Sequence, residues 1–182
     1  MYLKSIEVQG FKCFAKKIKF DFHQGITGIV GPNGSGKSNV ADAVRWVLGE
    51  QRVKQLRGGT MQDVIFSGTE NRKPLSYASV AITLDNSDHQ LSIDFQEVTV
   101  TRKLYRSGES EYLINGSACR LKDVNELFYD TGIGKEGYSI IGQGQIDRIL
   151  SGKPEERREL FDEAAGIVKF KRRKNMSVKK LE

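Results

Sequence analysis

"GPNGSGKSN", residues 31–39, is the stretch that decides the fold. It matches the phosphate-loop pattern, in which a glycine and four further residues precede Gly36, Lys37 and Ser38. Glycines let the backbone curl closely around a triphosphate, and a helix that begins after them points its positive end at the phosphates. Lys37 would reach the outer phosphates, and the Ser38 hydroxyl would bind Mg²⁺. The pattern therefore predicts a nucleotide-binding site.

The residues on either side of this loop support that interpretation. "GITGIVG", residues 25–31, is predicted to be a short apolar strand that leads into the loop. After the loop the apolar period becomes helical, and four residues share one helical face: Val40, Val44, Val47 and Leu48. Gly49 is typical of a helix end. A chance glycine-rich turn would lack this succession of strand, loop and helix.

Most of the remaining N-terminal part is predicted to be β-structure. The first 30 residues alternate like paired strands. Ile6 and Val8 share one face of "YLKSIEVQGF" (2–11), and one face of "KKIKFDFH" (16–23) carries Ile18, Phe20 and Phe22. Four further runs predict an antiparallel meander: "SVAITL" (79–84), "QLSIDF" (90–95), "EVTVTRKLY" (97–105) and "EYLI" (111–114). Asn115-Gly116 predicts a tight hairpin turn, because both residues accept a positive φ. "LKDVNELFYDTG", residues 121–132, predicts a short helix that ends at Gly132.

The C-terminal part has a different character. Pro154 suits the first position of a helix, and an apolar stripe then fades into the basic run "KFKRRKNMSVKK". We therefore expect two domains, residues 1–152 and a helical segment over 153–182. The basic run is interpreted as a solvated helix face, with contact to nucleic-acid phosphates as the alternative.

Composition narrows the classes of protein. The chain has 29 Lys and Arg against 23 Asp and Glu, a net charge of +6, so a polyanionic partner is compatible but not required. No apolar run reaches the length of about 18 residues that spans a membrane, and the start lacks a secretory signal. Cys13 and Cys119 have no second ligand at metal-binding spacing, so we interpret them as reduced thiols. A cytoplasmic location is the expectation.

Seven segments are long enough to be specific to a family: "GFKCF" (10–14), "GPNGSGKSNVADAVRWVLGEQ" (31–51), "LRGGTMQDVIFSGT" (56–69), "TLDN" (83–86), "YRSGESEYLING" (105–116), "IIGQGQIDRIL" (140–150) and "FDEAAGI" (161–167). With them the chain resembles the N-terminal head segment of SMC proteins of the bacterial chromosome-partition type. The resemblance implies an α/β fold, the N-terminal lobe of an ABC-type ATPase head. In that fold a mixed sheet with an antiparallel meander surrounds the loop–helix unit, and the chain ends in the first helix of a coiled coil.

The resemblance also implies which residues bind ATP and Mg²⁺. The nucleotide-binding positions would be Lys12, Pro32, Asn33, Gly34, Ser35, Gly36, Lys37, Ser38 and Asn39. Gln143 would be the glutamine that binds Mg²⁺ together with Ser38, and Arg57 would hold the nucleotide or a partner head. Lys37, Gln143 and Arg57 are thus the predicted catalytic residues. Without the family, Gln143 would be read as a polar loop residue and Arg57 as a solvated arginine, with Lys12 as a surface lysine.

One expected feature of such a head is missing from the sequence. It contains no "LSGG"-like signature and no apolar strand that ends in Asp-Glu, which would be the Walker B motif. In SMC proteins these parts come from the C-terminal half of the polypeptide. We therefore expect weak or no ATP hydrolysis by this segment alone.

The resemblance implies several partners. They are the C-terminal head half of the same protein, a second SMC head in a homodimer, a kleisin subunit and double-stranded DNA bound without sequence specificity. The function would be chromosome condensation and segregation at the nucleoid. Arg120 and Lys122 match basic positions on the DNA-facing side of related heads, although a solubilising surface pair is equally compatible.

Three other classes of function are alternatives for a chain with this loop. A related coiled-coil ATPase of DNA repair shares the loop and the "QGQ" segment. The nucleotide-binding subunit of a membrane transporter would carry signature and Walker B motifs in the same short chain. A purely structural role, in which ATP promotes assembly and is never cleaved, is also compatible with the sequence.

Overall fold

The computed structural model describes residues 1–128 and the positions 131, 140, 141, 158, 174, 177 and 178. The chain divides into two compact units, Met1–Val124 and Asn125–Glu182. Most of the second unit lies outside the described residues, so the predicted division at residue 152 stays a prediction. The described positions of the predicted C-terminal helix, at 158, 174, 177 and 178, are helical. No helix in the described part of the chain is long and apolar enough to cross a membrane.

Within residues 1–128 the structure forms six strands, two α-helices and two short 3-10 helices. The strands are β1 (Tyr2–Gln9), β2 (Ile18–Asp21), β3 (Tyr77–Asp85), β4 (Glu97–Tyr105), β5 (Ser110–Ile114) and β6 (Ser117–Cys119). The helices are α1 (Lys37–Val47) and α2 (Leu121–Leu127), and the 3-10 helices are Val53–Leu56 and Met61–Val64.

The six strands form one sheet in the order β2-β1-β3-β4-β5-β6, in which every neighbouring pair is antiparallel. Three runs of the predicted meander are confirmed as β3, β4 and β5. The hairpin between β5 and β6 is confirmed as well, since Asn115 has φ 47° and Gly116 has φ 81°. Positive φ at both central residues is what a type I′ turn requires.

Helix α1 packs against β3 and β4 and closes the core. Alternate residues of the strands point to this side, so Val80, Ile82 and Val100 are buried with Ile6 and Val8 of β1. The helix contributes its buried apolar residues: Val40, Ala43, Trp46 and Val47. Of the predicted apolar face, Val40, Val47 and Leu48 are buried and Val44 is half-buried. The buried Ala43 and Trp46 were not predicted, so the buried face is rotated from the predicted one.

Arg102 of β4 anchors the C-terminal end of α1. Its guanidinium lies 4.6 Å from the Trp46 ring centre and 5.1 Å from that of Tyr112. Nη1 donates hydrogen bonds of 2.9 Å to the carbonyl oxygens of Trp46 and Glu50. Burial lowers the pKa of Arg102 to about 10. Arg102 thus joins the last turn of α1 to Glu50 beyond it, adding a buried donor to the Trp46 carbonyl oxygen, which also accepts from the Gly49 N–H.

Two predicted strands are absent from the described residues. "QLSIDF" forms a loop instead, because the buried Asn86 amide donates to the carbonyl oxygens of Leu91, Ile93 and Phe95 and so curls the chain. Residues 25–31 form no strand, and Ile26 and Val30 are 104% and 91% exposed. A strand needs a neighbour to accept and donate its hydrogen bonds, and the described sheet offers none here.

The second helix is shorter than the sequence pattern indicated. It ends at Leu127, and the predicted stop at Gly132 lies outside the described residues. At its N-terminal end the Arg120 N–H donates to Asp123 Oδ2 over 2.8 Å, which caps the first turn.

Candidate nucleotide-binding site

The predicted phosphate loop leads directly into α1. Gly34 and Gly36 have φ 82° and 95°, a conformation that L side chains rarely adopt, and α1 begins at the next residue, Lys37. The Lys37 ammonium folds back across the loop and donates to Gly31 O over 2.6 Å and Pro32 O over 2.8 Å. The Lys37 side chain therefore bridges the start of the loop and the start of α1.

The loop has the donors that a polyphosphate needs. In this described segment the backbone N–H groups of Gly34, Gly36, Lys37 and Ser38 donate to no backbone carbonyl oxygen. A Cβ atom built on Gly34 would meet nothing within 4 Å, so the space beside Gly34 is open. Ser38 is exposed beside it, with its hydroxyl available to a metal ion. Free N–H groups, a helix N-terminus and a lysine together fit the phosphates of ATP, and the hydroxyl fits Mg²⁺.

Gly36 has a second constraint besides its backbone angle. A Cβ atom at this position would lie 2.7 Å from the sulfur of Cys13 and 3.3 Å from the Phe14 ring. The turn that follows β1 therefore packs directly under the phosphate loop. This contact explains why the "GFKCF" segment belongs to the site, although it is distant in sequence.

Lys12 and Arg57, both predicted for the site, meet on a single carboxylate. Asp42 Oδ2 accepts from Lys12 Nζ over 2.5 Å and from Arg57 Nη2 over 2.5 Å and Nε over 3.1 Å. Lys12 Nζ also donates to Leu56 O over 2.5 Å. Arg45 lies 3.6 Å from the other Asp42 oxygen. We call Lys12, Asp42 and Arg57 the Asp42 triad.

Both cations of the triad have strained backbones. Lys12 has φ 49° and Arg57 has φ 57°, in the left-handed region that non-glycine residues rarely occupy. Each such residue costs about 1–2 kcal/mol of stability. Strain of this kind persists where the surroundings hold it and concentrates at functional sites.

Asn39 connects the triad to the loop. Arg57 Nη2 donates to Asn39 Oδ1 over 3.0 Å, and the Asn39 amide donates to the Cys13 sulfur over 3.0 Å. The first turn of α1, the turn at residues 12–14 and the end of the first 3-10 helix thus form one continuous wall. The structure brings together Lys12, Arg57 and the loop residues that the sequence predicted.

The sequence interpretation missed Asp42. It is 2% exposed and lies among the apolar residues of α1, where a lone carboxylate would be unfavourable. The sequence carried no signal for its burial, because Asp42 lies about 200° around the helix from Val40, away from the predicted apolar face.

Gln143, predicted for the Mg²⁺ site, and Arg120 and Lys122, predicted for DNA contact, stay predictions. Gln143 lies outside the described residues. Arg120 and Lys122 are exposed at the start of α2, and the Arg120 guanidinium is paired with Asp123 over 3.2 Å. Hydrogen bonds from Arg120 hold the pKa of the Asp123 carboxyl below its usual range.

Comparison with known proteins shows the family of this chain. Residues 2–156 match the RecF/RecN/SMC N terminal domain. A chromosome partition protein Smc of Clostridium kluyveri (strain NBRC 12016) is 65% identical over 182 residues, which are 100% of this chain and 15% of that protein. The chain thus spans about 15% of the length of the curated relatives it matches.

Solved structures agree on the fold. The Smc head domain of Pyrococcus furiosus, with an extended coiled coil and bound to the C-terminal domain of ScpA, has a TM-score of 0.85 at 38% identity, covering 99% of this chain and 46% of that chain. A chain solved in work on the ATP-driven dimerization and DNA stimulated activation of SMC ATPases has a TM-score of 0.81 at 38% identity, covering 90% and 99% respectively. The predicted fold class is confirmed.

Proposed function

The chain belongs to the RecF/RecN/SMC N-terminal domain family, and from this premise we propose that it is the ATP-binding lobe of a chromosome-partition SMC head. The observation that carries the proposal is the glycine loop at the start of α1. Lys37 crosses the loop, and the Asp42 triad forms the wall beside it.

Different residues of the loop would bind different parts of the nucleotide and its metal ion. The N–H groups of residues 34–38 would donate to phosphate oxygens, and the Lys37 ammonium would exchange a loop carbonyl for a phosphate. Ser38 and Gln143 would bind Mg²⁺. When bound, the nucleotide supplies the phosphoryl group and the metal ion offsets its charge. Arg57, with a side chain that is 54% exposed, would present a fixed positive charge at the edge of the site.

A second segment would complete the head. Ile26 and Val30, just before the loop, are large apolar residues without cover in the described structure. We infer that the C-terminal half of the same protein pairs along residues 25–31 and brings the signature and Walker B motifs. Hydrolysis needs a positioned water and closure around the phosphates, so this lobe alone would be inactive or very weak.

We propose the wider assembly from the functions and partners that the names of the similar proteins state. Two heads would dimerise around ATP, a kleisin would bind the complete head, and double-stranded DNA would be bound without sequence specificity. The assembly would act in chromosome condensation and segregation in the cytoplasm. Its support is the naming of the relatives, the ScpA-bound head of P. furiosus and a net charge of +6. A head of a related coiled-coil repair ATPase is the alternative.

Direct titration of ATP tests the proposal. The protein with its C-terminal half is titrated with ATP and Mg²⁺ by calorimetry, as wild type, Lys37→Ala and Lys73→Ala. Lys73 is an exposed lysine outside the loop and serves as the matched control. We expect Lys37→Ala to lose binding at least about 10-fold, since it removes a charge-assisted bond, and Lys73→Ala to bind normally. Equal binding by all three proteins would refute the proposal.

Phosphate release separates hydrolysis from binding. We expect turnover from the lobe with its C-terminal half and little from the lobe alone. Robust turnover by the lobe alone that Lys37→Ala abolishes would show that no second segment is needed. Binding without turnover by the complete head would favour the purely structural role of ATP.

A further inference from the structure

We propose that Asp42 is a positioning residue of the ATP site, which holds the Arg57 guanidinium against the first turns of α1. The inference rests on the proposed function and deepens it, because it assigns a role to a residue that is not among the proposed nucleotide ligands. It also separates the roles of the two cations that the carboxylate binds.

The geometry shows how completely Asp42 is used. Its side chain is 3% exposed, and one oxygen, Oδ2, accepts three hydrogen bonds from the two cations. A buried carboxylate is tolerated when charge-assisted bonds of this kind satisfy it. The carboxylate is therefore fixed, and a fixed acceptor in turn fixes the planar fork of Arg57.

Lys12 and Arg57 differ in what they leave for a ligand. The Lys12 side chain is 15% exposed, and its ammonium bonds both Asp42 and the Leu56 carbonyl oxygen. The Arg57 side chain is 54% exposed. The charge of Lys12 thus compensates the charge of Asp42, and the remaining positive charge of the triad is the accessible one on Arg57.

The position of Asp42 on α1 determines where along the helix the Arg57 guanidinium is held. Asn39 and Asp42 are three residues apart, so they lie on the same helical face and bind the same guanidinium. Asp42 is five residues after Lys37, which places it about 7.5 Å further along the helix axis. Arg57 is thereby held beside the N-terminal end of α1, which directly follows the phosphate loop, in spite of its strained φ of 57°.

Substitution of the carboxylate should uncouple Arg57 from the site. Asp42→Asn keeps the size of the side chain but removes the charge that binds Arg57 twice. Loss of a hydrogen bond to a charged group weakens an interaction by about 10-fold or more. We expect ATP affinity to fall about 10-fold. Arg57→Gln should show a similar loss, and the double variant should bind no more weakly than either single variant.

This non-additivity distinguishes positioning from a structural role. Residues that act through each other show coupling in a double-mutant cycle, whereas independent effects multiply. Leu91→Ala is the stability control, since Leu91 is 1% exposed in the loop between β3 and β4. That loop follows Asp85, which pairs with Tyr2, whereas Lys12 follows the opposite end of β1. Leu91→Ala should lower stability and leave ATP affinity unchanged.

The experiment is an ATP–Mg²⁺ titration by calorimetry on the full-length protein, with circular dichroism to verify folding. Wild type and Lys37→Ala come first, because equal affinities there would overturn the proposed function itself. If Lys37→Ala loses binding while Asp42→Asn binds like wild type, the positioning role is wrong. It is equally wrong if the losses from Asp42→Asn and Arg57→Gln multiply in the double variant.

Arg57→Lys provides a test that does not depend on Asp42→Asn folding. A lysine keeps the positive charge but lacks the fork that bonds Asp42 and Asn39 together. We expect its ATP affinity to fall as far as that of Arg57→Gln. Wild-type affinity in Arg57→Lys would show that the held geometry is unnecessary, and the proposal would be abandoned.

Discussion

The strands under α1 and the segment at residues 25–31 have similar apolar sequences but opposite environments. Val80 in β3 and Val100 in β4 lie on paired strands and are fully buried, whereas Val30 is 91% exposed. The buried residues find their partners along an antiparallel meander, within a few tens of residues in sequence. Residues 25–31 have no such neighbour in the described part of the chain. An apolar sequence is thus compatible with a strand, but whether its side chains are buried depends on pairing with a neighbouring strand.

The largest expected effect on stability concerns the sheet and the helix α1 that packs on it. Arg102→Ala should lower the free energy of unfolding by about 3–5 kcal/mol, because it leaves a cavity and strands buried carbonyl groups at the end of α1. Lys103→Ala, at the next position of β4 and half-buried, is the control and should cost less than about 1 kcal/mol. Urea denaturation measures both. A loss below that of the control would mean that Arg102 does not anchor the helix.

The second effect concerns the uncovered segment. Ile26→Ser with Val30→Ser should leave the unfolding free energy of the lobe nearly unchanged, since both side chains are already exposed. Association with the C-terminal half should weaken by about 3 kcal/mol or more, as burial of each such side chain contributes about 1.5–3 kcal/mol. Calorimetric titration of the two halves measures this. Unchanged association, or a marked loss of stability in the lobe alone, would break the contrast between the two regions.

The parts of the fold that the sequence predicted well are those determined locally. The Asn115-Gly116 turn and the phosphate loop each depend on backbone angles that only a few residue types adopt. A short stretch of sequence is therefore enough to predict them. The alternation in β3 and β4 also follows from a period that a few residues display.

The features that the sequence did not predict depend on distant partners. "QLSIDF" alternates like a strand, but the amide of Asn86 binds its carbonyl groups and makes it a loop. Residues 25–31 have strand character without a strand to join. In the site, Lys12 and Arg57 were assigned through the family resemblance, whereas Asp42 was missed because its role arises from contacts across 30 and 15 residues of sequence.

Asn86 offers a third, smaller test of the same contrast. Its amide is fully buried and holds the loop at residues 86–96. Asn86→Ala should lower the unfolding free energy by about 2 kcal/mol, because loop carbonyl groups and the Leu91 N–H lose their partner. Ser87→Ala next to it, exposed and bonded to Asp85, should cost under about 1 kcal/mol. Chemical denaturation compares them, and equal losses would remove Asn86 as the organiser of this loop.

The smallest expected effect is at the β5–β6 turn, where two variants distinguish the cost of a positive φ from the contribution of side-chain hydrogen bonds. A Cβ atom on Gly116 would meet nothing within 4 Å, so Gly116→Ala introduces no clash and isolates the strain of its φ of 81°. We expect a loss of about 1–2 kcal/mol in the free energy of unfolding. Asn115 has the same kind of backbone angle, but its side chain also accepts from Thr99 N–H over 2.7 Å and donates to Glu97 O over 3.2 Å. Asn115→Gly relieves the angle and removes both bonds, so its net effect should be smaller than the loss in Gly116→Ala. If Asn115→Gly proved the more damaging of the two, the side-chain bridge to β4 rather than the turn angle would be what fixes this edge of the sheet.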